Sequence, residues 1–209
     1  NLINTLVKNR FGKETITYKD KEINFSIPFK RYTLDEALKK HAKIGTESRD
    51  ELYKKAKELK LDVKENASKG QLILEIYDKL VEPNLIEPTF ITDYPWETSP
   101  LAKRKRDNNE LVERFELIVN GMEIANAFSE LNDPIDQLSR FEDQAKAKEA
   151  GFEDAHEMDT DYINALKYGM PPTGGLGIGI DRIVMLLTNS HSIRDVIFFP
   201  HMKTITPNE

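Results

Sequence analysis

The sequence predicts an α+β fold, in which β-hairpins are separated by amphipathic helices. Two segments, 14–27 and 111–131, alternate apolar with polar residues on either side of a turn, as a hairpin with one buried face does. Between them, residues 33–82 carry apolar residues at helical spacing. A helical segment set between two β regions indicates the α+β class.

The composition excludes several classes of protein. The 209 residues carry 30 Lys and Arg against 36 Asp and Glu, a formal net charge of −6, and contain no cysteine. Without cysteine there is no disulfide, thiolate metal site, iron–sulfur cluster or cysteine nucleophile. A membrane helix needs about 18 consecutive apolar residues, whereas the densest apolar run is 183–187 and the first residues form no signal-peptide block. We therefore expect a soluble, cytoplasmic chain with no membrane partner.

In the first half of the chain, a hairpin is followed by helices. The hairpin turns at Lys-Asp-Lys and ends at Pro28. Two pairs at the capping-box spacing, Thr33 with Glu36 and Ser48 with Glu51, predict helix starts because they satisfy free backbone donors there. Two apolar stripes predict the buried faces of these helices: Leu52, Ala56 and Leu59, then Leu72, Ile73, Ile76 and Leu80.

In the second half, residues 89–92 predict a short strand and 93–109 a loop. Within the hairpin 111–131, the pair Asn120-Gly121 favours a type I′ turn. The remaining predicted elements are a helix from Asp133 to Gly151 with the stripe Leu138, Phe141 and Ala145, a helix ending near Tyr168, a strand at 174–180, a helix at 181–188 capped by Asp181, and a strand at 196–199.

The glycine-rich segment 174–182, GGLGIGIDR, has a pattern that indicates a role beyond packing in a core. It differs from the dinucleotide fingerprint G-x-G-x-x-G, because its glycines at 175, 177 and 179 recur at every second residue. In a strand this spacing puts all three on one face, which leaves bare backbone open to a flat ligand. Arg182 follows, and its planar guanidinium can stack on an aromatic ring or pair with a phosphate. The alternative is that the glycines permit tight helix–strand packing and Arg182 is a surface residue.

Two carboxylates of the second hairpin predict a metal site. With Asn-Gly as a two-residue loop, Glu116 and Glu123 become diagonal neighbours on one face, roughly 7–8 Å apart at the backbone. Like charges side by side are unfavourable unless a cation neutralises them, and Mg²⁺ commonly takes one or two carboxylates plus substrate phosphates. The alternative is two solvated glutamates on an exposed sheet face.

A third pattern, Asn126, Phe128 and Glu130, places polar, aromatic and acidic side chains on one face at a spacing of two. An aromatic wall followed by a carboxylate suits an alkyl chain that ends in an ammonium. Strict alternation would put Glu123 and Asn126 on opposite faces, so one shared site requires a β-bulge between Ile124 and Asn126. The alternative is Phe128 in a core and Glu130 at a strand end.

Other candidates are weaker. The basic run 103–106 is more typical of a solvated loop than of a phosphate contact, and the acidic residues of 153–161 are expected to face solvent. His156 lacks the second histidine of a zinc helix, and the other three histidines have no ligand partners nearby in sequence.

Taken together, these residues resemble a known family. Segments 175–182 and 114–123 are similar to motif 3 of the class II aminoacyl-tRNA synthetases and to the strand pair before it. Within that class, the segments TDYP at 92–95, SPLA at 99–102, NAFSELND at 126–133 and TNSHSIRD at 188–195 resemble lysyl-tRNA synthetases of the bacterial type. The resemblance covers essentially the whole chain and implies an antiparallel sheet flanked by helices, working as a homodimer.

The resemblance implies a role for each candidate residue. Glu116 and Glu123 match carboxylates that hold Mg²⁺ on the ATP phosphates. Arg182 matches the motif 3 arginine, which is catalytic, packs on adenine and reaches the γ-phosphate. The lysine site corresponds to Asn126 near the α-carboxylate, Phe128 along the methylenes, Glu130 on the ε-ammonium, and Gly177, which lines both the lysine and the ATP pockets.

The implied reaction uses ATP and Mg²⁺ to convert L-lysine to lysyl-adenylate and then transfers lysine to tRNA(Lys). The family's anticodon-binding OB-fold and its motifs 1 and 2 have no match here, and the first residue is not Met, so we expect residues 1–209 to be the C-terminal part of one catalytic domain and inactive alone. Two alternatives stay open: the paralogue that lysylates elongation factor P, and a noncatalytic module that senses lysine or a nucleotide.

Overall fold

The computed structural model describes residues 1–45, 48–149 and 158–201. In the first half the elements are α1 (Leu2–Phe11), β1 (Thr15–Tyr18), β2 (Lys21–Asn24), β3 (Lys30–Thr33), α2 (Leu34–Ala37), a π-helical turn (Leu38–Ala42), α3 (Arg49–Glu58), α4 (Lys69–Leu80) and β4 (Thr89–Thr92). In the second half they are β5 (Arg114–Val119), β6 (Met122–Ser129), α5 (Pro134–Glu149), α6 (Thr160–Lys167), β7 (Gly174–Ile178) and α7 (Ile180–Thr188). Short 3₁₀ turns lie at Glu82–Asn84, Trp96–Thr98 and Ile193–Asp195.

Five strands form one sheet in the order β3-β4-β5-β6-β7, and β1 pairs with β2 as a separate hairpin. The pairs β4–β5, β5–β6 and β6–β7 are antiparallel, while β3 runs parallel to β4. Helices cover both faces: α2 to α4 pack with Ile91 and Ile118 in one core cluster, and α1, α7 and the β1–β2 hairpin pack with Leu117 and Val119 in the other. The predicted α+β fold with an antiparallel sheet flanked by helices is therefore confirmed, with one parallel pair added.

The helical segment between the hairpins begins its helices as predicted. Thr33 and Ser48 both form complete capping boxes with a glutamate three residues later. A third capping box, Ser68 with Gln71, starts α4 and was not predicted, although it has the same spacing in the sequence. The two predicted stripes are buried at Leu52, Ala56, Leu72, Ile73 and Ile76, and partly buried at Leu59 and Leu80.

The N-terminal helix α1, which the sequence patterns did not predict, is fastened to the first hairpin by Glu14. Its carboxylate accepts hydrogen bonds from Asn4 Nδ2 at 2.8 Å and Ser26 Oγ at 2.9 Å, and pairs with Lys8 Nζ at 2.8 Å. The predicted hairpin is confirmed, with Lys19 and Asp20 both in the left-handed region at its turn.

Two predictions near the C-terminus are wrong. Helix α7 begins at Ile180 with Gly179 as its N-cap, so Asp181 lies in the first turn, because the backbone enters the helix one residue earlier. Residues 196–199 form no strand: they follow a 3₁₀ turn, and Phe198 and Phe199 are 96% and 93% exposed.

On α5 the predicted stripe is only partly correct: Phe141 is buried as predicted, but Leu138 is exposed, and Gln137 and Arg140 are buried instead. The two polar side chains are buried because they donate to backbone carbonyls, Gln137 Nε2 to Pro100 O at 3.0 Å and Arg140 Nη1 to Ala102 O at 2.6 Å. The predicted helix end at Gly151, His156 and much of the acidic cluster lie outside the described residues. No helix in the described ranges is long and apolar enough to span a membrane.

Candidate active site

The second hairpin carries the predicted type I′ turn and the predicted bulge. Asn120 and Gly121 have φ of 49° and 66°, the left-handed values that this turn requires. Leu117 pairs with Ala125 and Ile118 with Glu123, so Ile124 is the extra residue of the bulge. The bulge restores a common face, because residues on either side of it would otherwise alternate out of phase. Its position is one residue nearer the turn than the interval we predicted.

Strand β7 lies along β6 and completes this face. Asn126 pairs with Glu116 on one side and with Gly177 on the other, and Phe128 pairs with Gly175. Directly paired residues point to the same face of a sheet. The predicted carboxylates, Glu116 and Glu123, are therefore brought to one face of β5, β6 and β7 together with Asn126 and Phe128 of the lysine-site pattern. The same face holds Gly175 and Gly177, two of the three glycines at 175, 177 and 179 that form the glycine strip.

Part of this face borders a cavity of about 340 Å³ between β6, β7 and the start of α7. Its lining includes Glu123, Asn126, Gly177, Gly179 and Arg182. Arg182 is half-exposed and is oriented by Glu123: its Nη1 donates to the backbone O of Glu123 at 2.6 Å and lies 3.9 Å from Oε2 of the same residue. The guanidinium is thus held at the rim of the cavity while much of it stays accessible to a ligand.

Three predicted residues, Glu116, Phe128 and Glu130, lie outside the lining of this cavity. Phe128 packs partly against the core cluster of the helical segment. Glu130 is half-buried at the far end of the strip, where its backbone N–H donates to Thr173 O at 2.9 Å and its carboxylate lies over Gly175. Burial raises the pKa of Glu130. This carboxylate would be ionised more readily beside a cation, because a neighbouring positive charge offsets the cost of its partial burial.

Glu116 lies deeper, in a network built around Arg114. The Arg114 guanidinium forms an ion pair with the Glu116 carboxylate and donates to Asn126 Oδ1 at 3.1 Å and to Ser99 Oγ at 2.8 Å. It also lies over the Tyr94 ring, 4.5 Å from its centroid. Arg114 therefore links the carboxylate end of the face to Asn126, which was predicted for the lysine site.

Two opposing influences act on Glu116. Burial raises its pKa, and the charge of Glu123 adds to the increase, while Arg114 and the 2.8 Å hydrogen bond from Tyr94 Oη favour the ionised form. Because Ile118 pairs with Glu123, Glu116 is the diagonal neighbour of Glu123 on the same face, as the hairpin geometry predicts.

Arg114, Tyr94 and Glu82 were not predicted as site residues. Arg114 lies two residues before Glu116, so period-two alternation alone could have placed it on the same face. Glu82, in the 3₁₀ turn after α4, borders the carboxylates. Its pKa is raised to about 7 by burial and by the charges of Asp78, Glu116 and Glu123, and Arg182 partly offsets this. No local pattern marks Glu82 in the sequence.

The donor set is suited to Mg²⁺. In the described parts of the chain, no group of three or more His, Asp or Glu side chains is placed to hold a metal by itself. Two carboxylates that share an ion with substrate phosphates form the ligand set that Mg²⁺ usually takes. Glu123 offers a half-exposed carboxylate, and each oxygen of Glu116 keeps a lone pair beyond its present hydrogen bond.

The basic run 103–106 is engaged within the chain at three of its four residues, so the solvated loop we expected is only partly correct. Lys103 Nζ donates to Asn132 Oδ1 at 3.1 Å, Arg104 lies over the Trp96 ring, and Lys105 pairs with Asp93. Two of these contacts join residues within the 93–113 loop, and the third fixes the loop to Asn132. Arg106, the fourth residue of the run, is exposed.

Comparisons with known proteins show the family of the chain. The family model described as class II tRNA synthetases (D, K and N) matches residues 1–203. The Lysine--tRNA ligase of Thermoanaerobacter pseudethanolicus is 53% identical over 195 residues, 92% of this chain and 39% of that protein. The same enzyme of Pelotomaculum thermopropionicum is 52% identical over 97% of this chain and 41% of its own length, and that of Carboxydothermus hydrogenoformans 51% over 97% and 42%.

The chain thus spans about two fifths of the length of these curated relatives. The family match, by contrast, extends over nearly all of its residues. It includes the bulged hairpin, the glycine strip and Arg182 in one continuous alignment. The chain belongs to the class II tRNA synthetases of the D, K and N group.

Proposed function

We propose that this chain is the C-terminal part of the catalytic domain of a lysine–tRNA ligase. One observation carries the proposal: the register of β5, β6 and β7 puts Asn126 on the face that also holds Glu123 and leads to Arg182, and the Glu130 carboxylate lies over Gly175 at the other end of that face. An acidic group at one end and a phosphate-binding arginine at the other match a cationic amino acid that reacts with a nucleotide. The name that the relatives carry, Lysine--tRNA ligase, supports the choice of lysine.

The reaction is an adenylation followed by a transfer. A lysine carboxylate oxygen attacks the α-phosphorus of ATP, the bond to the bridging oxygen breaks, and pyrophosphate leaves. A ribose hydroxyl at the 3′ end of tRNA(Lys) then attacks the lysyl carbonyl, the bond from the carbonyl carbon to the phosphate oxygen breaks, and AMP leaves while the hydroxyl proton passes to a phosphate oxygen of the departing AMP. Both steps depend on positioning and charge neutralisation, so no general base is required.

Each residue of the face has a place in this scheme. Asn126 lies near the α-carboxylate of lysine, Phe128 contacts its methylenes, and Glu130 accepts the ε-ammonium. Gly177 lines both the lysine and the ATP pockets. Because Glu130 is partly desolvated, an uncharged side chain would leave its carboxylate unpaired and would be rejected. Arg182 stacks on adenine and contacts the γ-phosphate.

Glu116 and Glu123 would hold Mg²⁺. A bound divalent ion supplies charge neutralisation on the ATP phosphates. The protein's own contribution is to keep two carboxylates adjacent: Arg114 and Tyr94 hold Glu116 from one side, and the bulged strand presents Glu123 from the other.

We also propose that the complete protein is a cytoplasmic homodimer and that residues 1–209 alone do not activate lysine. The resemblance implies that the α-phosphate is held by an arginine of motif 2 and that motif 1 builds the dimer interface, and neither motif has a match in these residues.

The test is amino-acid-dependent exchange of labelled pyrophosphate into ATP by the full-length gene product, with each of the twenty amino acids. We expect exchange with lysine only, loss of exchange on Arg182→Ala, and unchanged exchange on Arg10→Ala, which removes an exposed arginine of α1. Charging of tRNA(Lys) rather than lysylation of elongation factor P supports the tRNA ligase over its paralogue. If none of the twenty amino acids supports exchange, the proposal is refuted in favour of a noncatalytic module that senses lysine or a nucleotide.

A further inference from the structure

Gly175 lies directly beneath the Glu130 carboxylate. A Cβ atom built at Gly175 would come within 2.0 Å of Glu130 Oε1 and 3.2 Å of its Cδ. The backbone does not explain this glycine, because Gly175 is absent from the residues of positive φ. The glycine is needed for the space above it, which the carboxylate occupies.

Gly177 and Gly179, the other glycines of the strip, and the neighbouring Gly174 differ in this respect. A Cβ at Gly174 would meet nothing within 4 Å, and one at Gly177 would lie 3.7 Å from Asn126 O, an ordinary contact. At Gly179 the nearest atom would be Cδ of Arg182, at 3.5 Å. Of these four positions, 175 alone is incompatible with a side chain while Glu130 stays where it is.

The backbone of Glu130 has little freedom to move away. Its N–H donates to Thr173 O at 2.9 Å, it forms an antiparallel bridge with Ala102, and the next N–H, of Leu131, donates to Leu101 O at 3.0 Å. One residue further, Asn132 Nδ2 donates to Met170 O at 3.0 Å. An added methyl group at 175 would therefore displace the flexible end of the Glu130 side chain and leave the strands in place.

We infer that Gly175 is a specificity-determining residue, which sets where the Glu130 carboxylate lies and so sets the length of the cationic side chain that the site accepts. This inference rests on the proposed function. In the proposed function, the α-carboxylate end of the substrate is held near Asn126. The distance from Asn126 to the Glu130 carboxylate therefore sets the length of the methylene chain that a bound ω-amino acid can have. With a methyl group at 175, Oε1 must move about 1.4 Å to reach an ordinary 3.4 Å contact, close to the length of one carbon–carbon bond.

The test compares Gly175→Ala with the matched control Gly174→Ala in the full-length gene product, using lysine and ornithine, which is one methylene shorter, in pyrophosphate exchange. A misplacement of about 1 Å can cost about 100-fold in rate. We expect Gly175→Ala to lose about 100-fold in kcat/KM for lysine, mainly through KM, with a reduced preference for lysine over ornithine and an unchanged KM for ATP. Gly174→Ala should stay within about threefold of the wild type, since its added methyl contacts nothing.

Glu130→Asp provides the compensating change, because it withdraws the carboxylate from position 175 by one methylene. The double variant Gly175→Ala/Glu130→Asp should lose less than the product of the two single losses. If Gly175→Ala does not fold, Gly175→Ala/Glu130→Ala should fold, because the colliding carboxylate is gone; a double variant that also fails to fold overturns the inference.

The outcomes separate this inference from the proposed function. A wild-type protein without lysine-dependent exchange refutes the proposed function and, with it, the inference. An active wild type whose Gly175→Ala variant keeps the lysine preference of Gly174→Ala overturns the inference alone.

Discussion

Replacing Arg114 by methionine should destabilise the chain strongly, because Arg114 joins three buried or half-buried acceptors. Its guanidinium donates to Asn126 and Ser99 and pairs with Glu116, and the side chains of Arg114 and Glu116 are only 16% and 10% exposed. Methionine keeps much of the length but removes every donor and leaves the Glu116 carboxylate with the hydrogen bond from Tyr94. Removing one partner of a buried ion pair costs about 3–5 kcal/mol.

The assay is urea unfolding of wild type and variants at pH 7, with Arg10→Met as a control for an exposed arginine. Combining Arg114→Met with Glu116→Gln closes a double-mutant cycle, in which we expect a coupling energy of about 1–3 kcal/mol, because the two residues are in direct contact. Arg114→Lys should recover only part of the stability, since an ammonium cannot bridge three acceptors as the planar fork does. If Arg114→Met lowers the free energy of unfolding by less than about 1 kcal/mol, or shows no coupling to Glu116, the network does not hold the site together.

Three further effects follow from contacts elsewhere in the fold. Arg140→Met should cost about 2–3 kcal/mol of unfolding free energy, because the side chain is 2% exposed and two backbone carbonyls lose their donor; the exposed Lys146→Met, measured alongside it, should change stability by less than about 0.5 kcal/mol. The three donors around Glu14 lower the pKa of its carboxyl to about 2, so its contribution to stability is present above pH 4.5 and is lost as the pH falls toward 2; the protection factors of the α1 amides against hydrogen exchange should fall over that range in the wild type, and an equal fall in Glu14→Gln would exclude this cause. Ser68→Ala should cost about 1 kcal/mol through loss of the α4 capping box, and Ser68→Asp should retain most of it, as thermal unfolding would measure.

In the second hairpin, much of the geometry of the candidate site could be predicted from the sequence. The side-chain period of a strand is two, so a shared face for Glu123 and Asn126 required an extra residue, and the bulge at Ile124 supplies it. The common face of these residues with Phe128, Gly175 and Gly177 then follows from pairing alone. The chemical roles of these residues stay predictions, since they come from the resemblance and from charge.

Contacts between distant segments could not be predicted in the same way. Glu82 comes near the carboxylates because the turn after α4 packs under the hairpin, where Gly121 N donates to Leu85 O at 3.1 Å. The stripe predicted for α5 missed Arg140, because its guanidinium is buried against carbonyls of the loop near Ser99. A local pattern assigns such a polar residue to solvent, because sequence spacing does not show the acceptors. Both results depend on tertiary acceptors that sequence spacing does not reveal.

The proposed role of Glu130 in binding lysine is tested most directly by the substrate preference of the full-length Glu130→Gln variant. This substitution keeps the size of the side chain and removes its charge, so the site should lose the ion pair with an ε-ammonium while its contacts to ATP remain. The measurement is pyrophosphate exchange with lysine and with norleucine, its uncharged analogue of similar length. We expect the preference for lysine over norleucine to fall by about 30-fold or more, which corresponds to the loss of a charged hydrogen bond of about 2 kcal/mol or more. The KM for ATP should be unchanged. An unchanged preference for lysine would contradict the proposed role of Glu130.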